Sequence, residues 1–323
     1  MGPKPDTTLE DLAQRAYEYS INLDGRVERS RRVWCRGGYA VVYKGTLLPE
    51  DVEVAVKTSN ISEREALEVV KDAVREVHAW SKLRHKNVLP LLGITTEFPH
   101  TISFVSAWMA KGNAHDYVQD KAVDPRPLIE GIARGLQYLH ERKPGSIFHG
   151  DLKGSNVLIS SEGRALLTDF GLSRVVNSSL KMTADKICGG TLNWMAPEIL
   201  DGKEVSAEGD VWAFGMTALE LFTGKVPYHD RREYLAVLCA ITRGPPTRPS
   251  EDETFSRLTD NWWEMCSSCW NRQPFLRPPM SHVVKSISLL CTGKAGHVVA
   301  VENRFLGVSG LPKSPLLCQR PDM

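Results

Sequence analysis

The sequence predicts an α+β protein of two lobes, a small β-rich lobe followed by a larger helical lobe. Residues 27–56 show a strand-like pattern rich in Val, and residues 87–109 hold two further apolar strands. A charged helix with one apolar face is predicted between them, over residues 63–83. After Gly112 the pattern becomes helical. Helices are predicted over residues 125–142, 206–223, 231–242, 257–270 and 279–291.

This change of pattern divides the chain into four segments. The hinge between the two lobes is expected near residues 108–112. A short amphipathic helix is predicted before the small lobe, over residues 7–19. The predicted segments are an N-terminal extension (1–24), the small lobe (25–110), the large lobe (111–292) and an irregular C-terminal tail (293–323).

The composition argues against several kinds of partner. A net charge of +1 gives no sign of binding to nucleic acid or to an anionic membrane. No apolar run approaches the roughly 18 residues of a membrane span, so we expect neither nucleic acid nor membrane as partners. The seven Cys residues are scattered, which is typical of reduced thiols. The expected location is the cytoplasm, with the nucleus as the alternative.

Cys266 and Cys269 form a lone CxxC pair. A zinc site needs about four ligands, and no second Cys pair or His pair stands nearby in the sequence. Packing of both thiols in the core is therefore favoured over metal binding.

A Gly-rich stretch, CRGGYAVVYKG, lies between two predicted strands. Backbone N–H groups in such a turn can approach phosphates closely because glycine has no Cβ. An ordinary hairpin turn at Gly37 and Gly38 explains the stretch at least as well. Taken alone, this motif does not decide between the two interpretations.

Lys57 strengthens the interpretation as a phosphate site. It ends the apolar strand sequence VAVK, and a buried ammonium group needs an acidic partner to keep its proton. Glu76 on the predicted charged helix is the candidate partner. The alternative, that both residues are ordinary surface charges, fits poorly with the apolar strand around Lys57.

Two loop stretches carry residues suited to phosphoryl transfer. HGDLKGSN offers Asp151 to accept the hydrogen bond of a hydroxyl group, Lys153 to contact a phosphate and Asn156 to bind a metal. LLTDFGLS offers Asp169 as a second metal ligand. Mg²⁺ prefers such carboxylate and amide oxygens together with water. Each residue alone is equally compatible with a polar side chain that caps a loop.

Taken together, the order and spacing of these motifs resemble a protein kinase from about residue 25 to residue 290. The resemblance implies a bilobal kinase fold with a small antiparallel β-rich lobe, ATP and Mg²⁺ as cofactors, and a protein substrate. The stretches GGTLNWMAPE and CWNRQPFLRP resemble the tyrosine-kinase-like branch, and HGDLKGSNVL resembles kinases of mushroom-forming fungi. The residues that carry the resemblance are Lys57, Glu76, Asp151, Lys153, Asn156, Asp169-Phe170-Gly171, Ala196-Pro197-Glu198, Asp210 and Arg277.

The resemblance also implies which residues surround the nucleotide. Ser106 falls at the gatekeeper position, and Met109 in the hinge would use its backbone groups on the adenine edge. Ala55 would cover the ring from above and Leu158 from below. The implied nucleotide-binding positions are Cys35, Gly37, Gly38, Ala40, Val42, Ala55, Lys57, Glu76, Ser106, Ala107, Met109 and Leu158.

The substrate class implied by the resemblance is Ser/Thr. Lys153 and Thr191 match the Ser/Thr arrangement, in which the Thr191 hydroxyl would bridge Asp151 and Lys153. The resemblance also implies that Arg277 pairs with Glu198, the acidic residue of the Ala-Pro-Glu motif.

Three residues depart from the family pattern. Gly150 stands where the family has the Arg of His-Arg-Asp, a residue that reads a phosphate on the activation loop, so its loss removes a regulatory contact. Cys35 and Ala40 replace two glycines of the phosphate loop, which predicts modestly weaker ATP binding.

The sequence therefore predicts an active ATP-dependent Ser/Thr kinase that transfers the γ-phosphate to protein hydroxyls and acts as a monomer or in transient complexes. The alternative is a pseudokinase that serves as a nucleotide-binding or scaffold module. A Rossmann-type enzyme is excluded because the Gly-rich turn precedes a strand rather than a helix.

Overall fold

A computed structural model describes residues 9–36, 40–59, 66–97, 102–143, 145–169, 191–231 and 233–291. The small lobe is built on an antiparallel sheet in the order β1-β2-β3-β5-β4. Its strands are β1 (Val27–Arg36), β2 (Ala40–Leu47), β3 (Val52–Ser59), β4 (Leu91–Thr95) and β5 (Ser103–Ala107). Alternating Val residues put Val54 and Val56 of β3 in the small-lobe core, fully buried.

Two helices accompany this sheet, and they pack against each other. The first, α1 (Leu9–Tyr19), lies in the N-terminal extension, and the second, α2 (Ala66–Trp80), connects β3 to β4. Apolar residues at spacings of three and four along α2 form its buried face. Those buried residues are Val70, Ala73, Val74, Val77 and Trp80.

The hinge is a tight turn between the lobes. Trp108 donates its backbone N–H to Glu53 O at 3.1 Å, and Gly112 donates to Met109 O at 3.0 Å. Gly112 has a φ of +72°, a left-handed conformation that glycine adopts without strain. The chain then enters the short helix α3 (Ala114–Tyr117), where Asn113 caps the first turn through its side chain.

The large lobe is helical and is organised around one buried helix, α6 (Ala207–Thr223). Because α6 is apolar on nearly all sides, it lies in the interior of the lobe. Ser206 caps its start by accepting a hydrogen bond from Gly209 N–H at 3.1 Å. The longer helices of this lobe are α4 (Arg126–His140), α6 (Ala207–Thr223), α7 (Tyr234–Arg243), α8 (Asp260–Cys269) and α9 (Met280–Cys291).

The predicted α+β architecture is confirmed, and the long helices fall close to their predicted positions. The short elements were missed: α3, α5 (Pro197–Leu200) and the two-stranded sheet of β6 (Val157–Ile159) and β7 (Ala165–Leu167). Segments of three or four residues are too short to show a period. Cys266 and Cys269 both lie on α8, fully buried in the core.

Within the described part of the chain, no helix combines the length and the apolar character needed to cross a membrane. The predicted C-terminal tail, Gly37, Gly38, Phe170 and Gly171 lie outside the described residues.

Candidate active site

Lys57 lies on β3 and reaches across the cleft to the large lobe. Its Nζ is 2.5 Å from Asp169 Oδ1. Burial alone would lower the pKa of Lys57, but the charges of Asp169 and Glu76 outweigh it and raise that pKa. Lys57 therefore remains an ammonium group although little of its side chain is exposed.

Glu76 on α2 was the predicted acidic partner of Lys57. Asp169 takes the direct contact instead, and Glu76, which is buried, acts on Lys57 through its charge. The difference has a physical reason. A pairing between β3 and α2 depends on the exact placement of the helix, which the spacing of residues along the chain does not determine.

Asp169 follows β7 with a left-handed backbone, at a φ of +59°. Asp tolerates this conformation better than most residues do, because its short polar side chain can form local hydrogen bonds. Burial raises the pKa of the Asp169 carboxyl, but the charge and hydrogen bond of Lys57 more than reverse this and lower it. Asp169 is therefore a carboxylate near neutral pH.

Asp151, Lys153 and Asn156 form a connected group on the loop before β6. The Asn156 amide nitrogen donates to Asp151 O at 2.7 Å and to Asp151 Oδ2 at 2.8 Å. Lys153 Nζ lies 3.1 Å from the same Oδ2 atom. These contacts fix one oxygen of the Asp151 carboxylate and orient Asn156 beside it.

The other carboxylate oxygen of Asp151, Oδ1, differs in its hydrogen bonding. Oδ1 is buried and has no hydrogen-bond donor among the residues that the structure describes. A buried acceptor without a donor is costly, and a catalytic role is one of the recognised reasons for such an atom in a native protein.

Thr191 was predicted to bridge Asp151 and Lys153 through its hydroxyl group. The bridging group is instead the Lys153 ammonium, which donates to Thr191 Oγ1 at 3.0 Å and contacts Asp151 Oδ2. An ammonium group carries three donors and can serve both acceptors at once, whereas a hydroxyl has a single donor.

Asp210 of α6 holds the backbone of this loop in place through hydrogen bonds. Asp210 accepts from His149 N–H at 2.7 Å, from Gly150 N–H at 2.8 Å and from His140 Nε2 at 2.8 Å. The carboxylate is almost completely buried, and bonds to a buried charged acceptor are strong. Gly150 has a φ of +72°, so the residue that replaces Arg here suits the left-handed backbone.

A second buried carboxylate on α6, Glu220, supports the next turn of the loop. It accepts from Gly154 N–H at 2.9 Å, from Trp194 Nε1 at 2.8 Å and from His115 Nδ1 at 2.7 Å. A Cβ on Gly154 would lie 2.7 Å from Glu220 Oε1, so the close approach requires glycine. Sequence reasoning missed Glu220 and His115. The available signal was a charged residue inside the apolar part of α6 that follows Asp210.

The predicted pair of Glu198 and Arg277 is confirmed. Two parallel hydrogen bonds of 2.5 Å and 2.8 Å join the guanidinium to the carboxylate, and both side chains are buried. Arg277 also donates to Glu208 O at 2.8 Å. This pair anchors α5, which follows Thr191 and Trp194, to the end of the large lobe.

The structure places the described members of the predicted nucleotide-binding set on strands of the small lobe, on α2, at the hinge and on β6. Ala55 pairs with Lys44 and with Ser106 across the sheet, and Val42 pairs with Lys57. The remaining described positions are Cys35 at the exposed end of β1, Ala40 at the start of β2, Ala107 and Met109 at the hinge, and Leu158 on β6.

A profile of the protein kinase domain matches residues 31–287 of the chain. The chain therefore belongs to the protein kinase family, which confirms the bilobal kinase fold predicted from its motifs.

Curated relatives place the chain more narrowly. It is similar to "Serine/threonine-protein kinase STY17" of Arabidopsis thaliana, with 29% identity over 84% of this chain and 46% of the relative. It is also similar to "Mitogen-activated protein kinase kinase kinase 10" of Xenopus laevis, with 34% identity over 79% of this chain and 25% of the relative. The human protein of the same name is 32% identical over 79% of this chain and 27% of its own length. The resemblance to the tyrosine-kinase-like Ser/Thr branch is confirmed, and the chain spans less than half the length of these relatives.

Proposed function

We propose that this chain catalyses ATP-dependent phosphorylation of Ser and Thr hydroxyls in protein substrates, using a catalytic loop with Gly in place of Arg. Membership of the kinase family supports the reaction class, and the similarity to a serine/threonine-protein kinase of Arabidopsis thaliana supports the choice of hydroxyl. Lys57, Asp151, Asn156 and Asp169 are all retained, which favours activity over the pseudokinase alternative.

The polar side chains at the cleft fit Mg²⁺ and a nucleoside triphosphate. Asp169 offers a carboxylate and Asn156 an amide oxygen, the ligand types that Mg²⁺ prefers in phosphoryl-transfer sites. Lys57 is a charged ammonium in the cleft, suited to the α- and β-phosphates. Bound ATP with Mg²⁺ would supply the transferable γ-phosphoryl group and neutralise its charge.

One observation carries the proposal: the Asp151 carboxylate has one oxygen held and one without a donor. Asn156 and Lys153 fix Oδ2, which orients the carboxylate, while Oδ1 has no donor among the described residues and becomes the acceptor once a hydroxyl group enters the cleft. In this geometry Oδ1 accepts the proton of a substrate hydroxyl and directs its oxygen toward the phosphate. Positioning of this kind, rather than covalent chemistry, is the main demand of phosphoryl transfer.

Lys153 completes the arrangement beside the substrate hydroxyl. Its ammonium sits between Asp151 and Thr191, so a positive charge lies next to the acceptor oxygen. The charge suits the developing negative charge on the transferred group. Thr191 holds the ammonium in this position.

Incubation with labelled ATP, Mg²⁺ and a generic protein substrate tests the proposal. We expect incorporation of label into Ser and Thr, loss of incorporation in Asp169→Asn, and parental incorporation in Asp252→Asn, which changes an exposed carboxylate elsewhere in the large lobe. Label on Tyr alone, or equal incorporation by parent and Asp169→Asn, would contradict it. A folded parent that binds nucleotide but transfers no label would instead favour the pseudokinase alternative.

A further inference from the structure

The helix α1 of the N-terminal extension packs against the back of α2. Ala16 is completely buried, at 0% relative accessibility. It belongs to the same buried core as Val70, Ala73 and Val77 of α2. Tyr19 meets the ring of His78 edge-on, with 4.3 Å between the ring centroids. The contact therefore joins buried and aromatic groups of the two helices.

The end of α1 is tied to β4 by a polar network around Asp24. The Tyr17 hydroxyl donates to Asp24 Oδ2 at 2.5 Å and lies 2.6 Å from Thr96 Oγ1. Asp24 Oδ1 accepts from Thr95 Oγ1 at 2.7 Å and from Thr96 N–H at 2.8 Å. Burial and the bond to Asp24 raise the pKa of Tyr17 to about 12, so the hydroxyl remains a donor.

The chain between α1 and β1 is seated on β4 at a position shaped to receive it. Leu23 N–H donates to Ile94 O at 2.9 Å, and Ile94 N–H donates to Ile21 O at 2.9 Å. A Cβ on Gly93 would lie 2.6 Å from Ile21 O and from Leu23 Cδ1. Only glycine admits so close an approach, so β4 and the extension fit each other in detail.

The opposite side of α2 carries the residue that acts on the cleft. Glu76 and His78 are two residues apart, which places them about 200° apart around a helix of 3.6 residues per turn. Tyr19 therefore contacts α2 on the side away from Glu76. Glu76 is buried, whereas His78 is exposed, so the two residues mark different faces of the helix.

We propose that α1 is an intramolecular brace that holds α2, and with it the buried Glu76, in position and so sets the nucleotide affinity of the cleft. The inference rests on the proposed function for its effect on ATP, but the brace itself is a packing relation independent of phosphoryl transfer. Tyr17, Ala16 and Tyr19 are then positioning residues, which act on the nucleotide through α2 and Glu76.

Hydrogen exchange of the 323-residue chain tests the brace without any need for activity. Ala16→Asp places a charge at a fully buried site of the contact, which α1 can relieve only by leaving α2. We expect the amides of α2 to exchange at least about tenfold faster, with those of α6 unchanged. The matched control is Gln14→Asp, which adds the same single negative charge at an exposed position of the same helix, and its α2 amides should exchange as in the parent.

Tyr17→Phe covers the case in which Ala16→Asp fails to fold. It removes one hydroxyl from the network and should speed exchange of α2 by roughly two- to tenfold, the range expected for loss of one net hydrogen bond. Unchanged α2 exchange in folded Tyr17→Phe and Ala16→Asp proteins would overturn the brace.

Titration with Mg²⁺ and a non-hydrolysable ATP analogue tests the effect on the cleft. Tyr17→Phe should weaken binding in the parent by a few-fold. In a Lys57→Met background the same change should have no further effect on binding, because Glu76 has lost its partner, although α2 exchange still rises. Equal weakening in both backgrounds would overturn the link through Glu76. A parent that binds the analogue but transfers no phosphate would contradict the proposed function and leave this result intact.

Discussion

The two sides of the cleft are held in place by different means. In the large lobe, the backbone of the loop that carries Asp151 is hydrogen-bonded to the carboxylates of Asp210 and Glu220. Both side chains are about 1% exposed and lie on a helix inside the core. In the small lobe, Lys57 and Glu76 depend on a sheet whose first strand is mostly exposed and on α2, where Arg75 and His78 lie at the surface. Buried charged hydrogen bonds fix the large-lobe side firmly, whereas the small-lobe side can shift with the position of one helix.

The largest expected effect separates the two sides by their kinetics. Asp151→Asn should lower kcat by on the order of 10²–10⁴-fold, because it removes the charged acceptor of the substrate hydroxyl. Lys57→Met should cause a loss of similar order but should act partly through a higher KM for ATP. Steady-state rates over a range of ATP concentrations measure both parameters.

Asp252→Asn serves as the control for these two variants. Comparable melting temperatures must first show that all the proteins are folded. The site assignment would be wrong if Asp151→Asn and Lys57→Met both kept activity within a few-fold of the parent.

A second prediction concerns how firmly the large lobe is anchored. Arg277→Met leaves Glu198 buried without its partner, which should lower the free energy of unfolding by about 3–5 kcal/mol. The double variant Glu198→Leu with Arg277→Met removes the stranded charge and should recover much of the loss. Urea denaturation measures both. A single variant as stable as the parent would show that the pair does not anchor the lobe.

Gly150→Arg tests the substituted position of the catalytic loop, with a smaller expected effect. A side chain at the observed φ of +72° should cost about 1–2 kcal/mol of folding free energy, and phosphotransfer should be no faster than in the parent. Gly150→Asn should cost less, because Asn tolerates the left-handed region. An inert parent that gains activity from the new Arg would contradict the proposed function.

The smallest predicted effect is a pH dependence at His115. The hydrogen bond to Glu220 outweighs burial and raises the pKa of His115 in the folded protein. The resulting stabilisation is complete below the unfolded pKa of about 6.5 and is lost as pH rises through the folded pKa. His115→Gln should remove it.

Urea denaturation at a series of pH values above and below 6.5 checks this prediction. The difference in unfolding free energy between parent and His115→Gln should shrink as pH rises. Taking the difference cancels His149, whose pKa is lowered by burial and which therefore acts in the opposite direction. A difference that is constant or grows with pH would contradict the assignment.

Sequence reasoning found the residues whose roles follow from local spacing. Asp151, Lys153 and Asn156 lie within six positions of one loop, so their proximity is set by the chain itself. The long helices showed a clear period, and the pair of Glu198 and Arg277 followed from the family resemblance.

What escaped prediction depends on packing between distant segments. Glu220 meets His115 and Gly154 only because α6 is buried beneath both, and no local pattern encodes that contact. Lys57 and Asp169 are 112 positions apart in the chain, so their direct pairing depends on how the lobes close. Ala16 belongs to the predicted apolar face of α1, but the surface that receives it was not identified.

The seating of the extension on β4 also bears on where the chain can be shortened. β4 is an outer strand of the sheet, and residues 21–23 cover part of its free side through the bonds at Ile94. A chain that begins at residue 25 would leave those backbone groups open, and an uncovered strand is a template for pairing with another molecule. We expect such a shortened protein to self-associate at concentrations where the 323-residue chain does not, as light scattering would measure. The segment between α1 and β1 thus covers a strand edge that would otherwise be open to pairing.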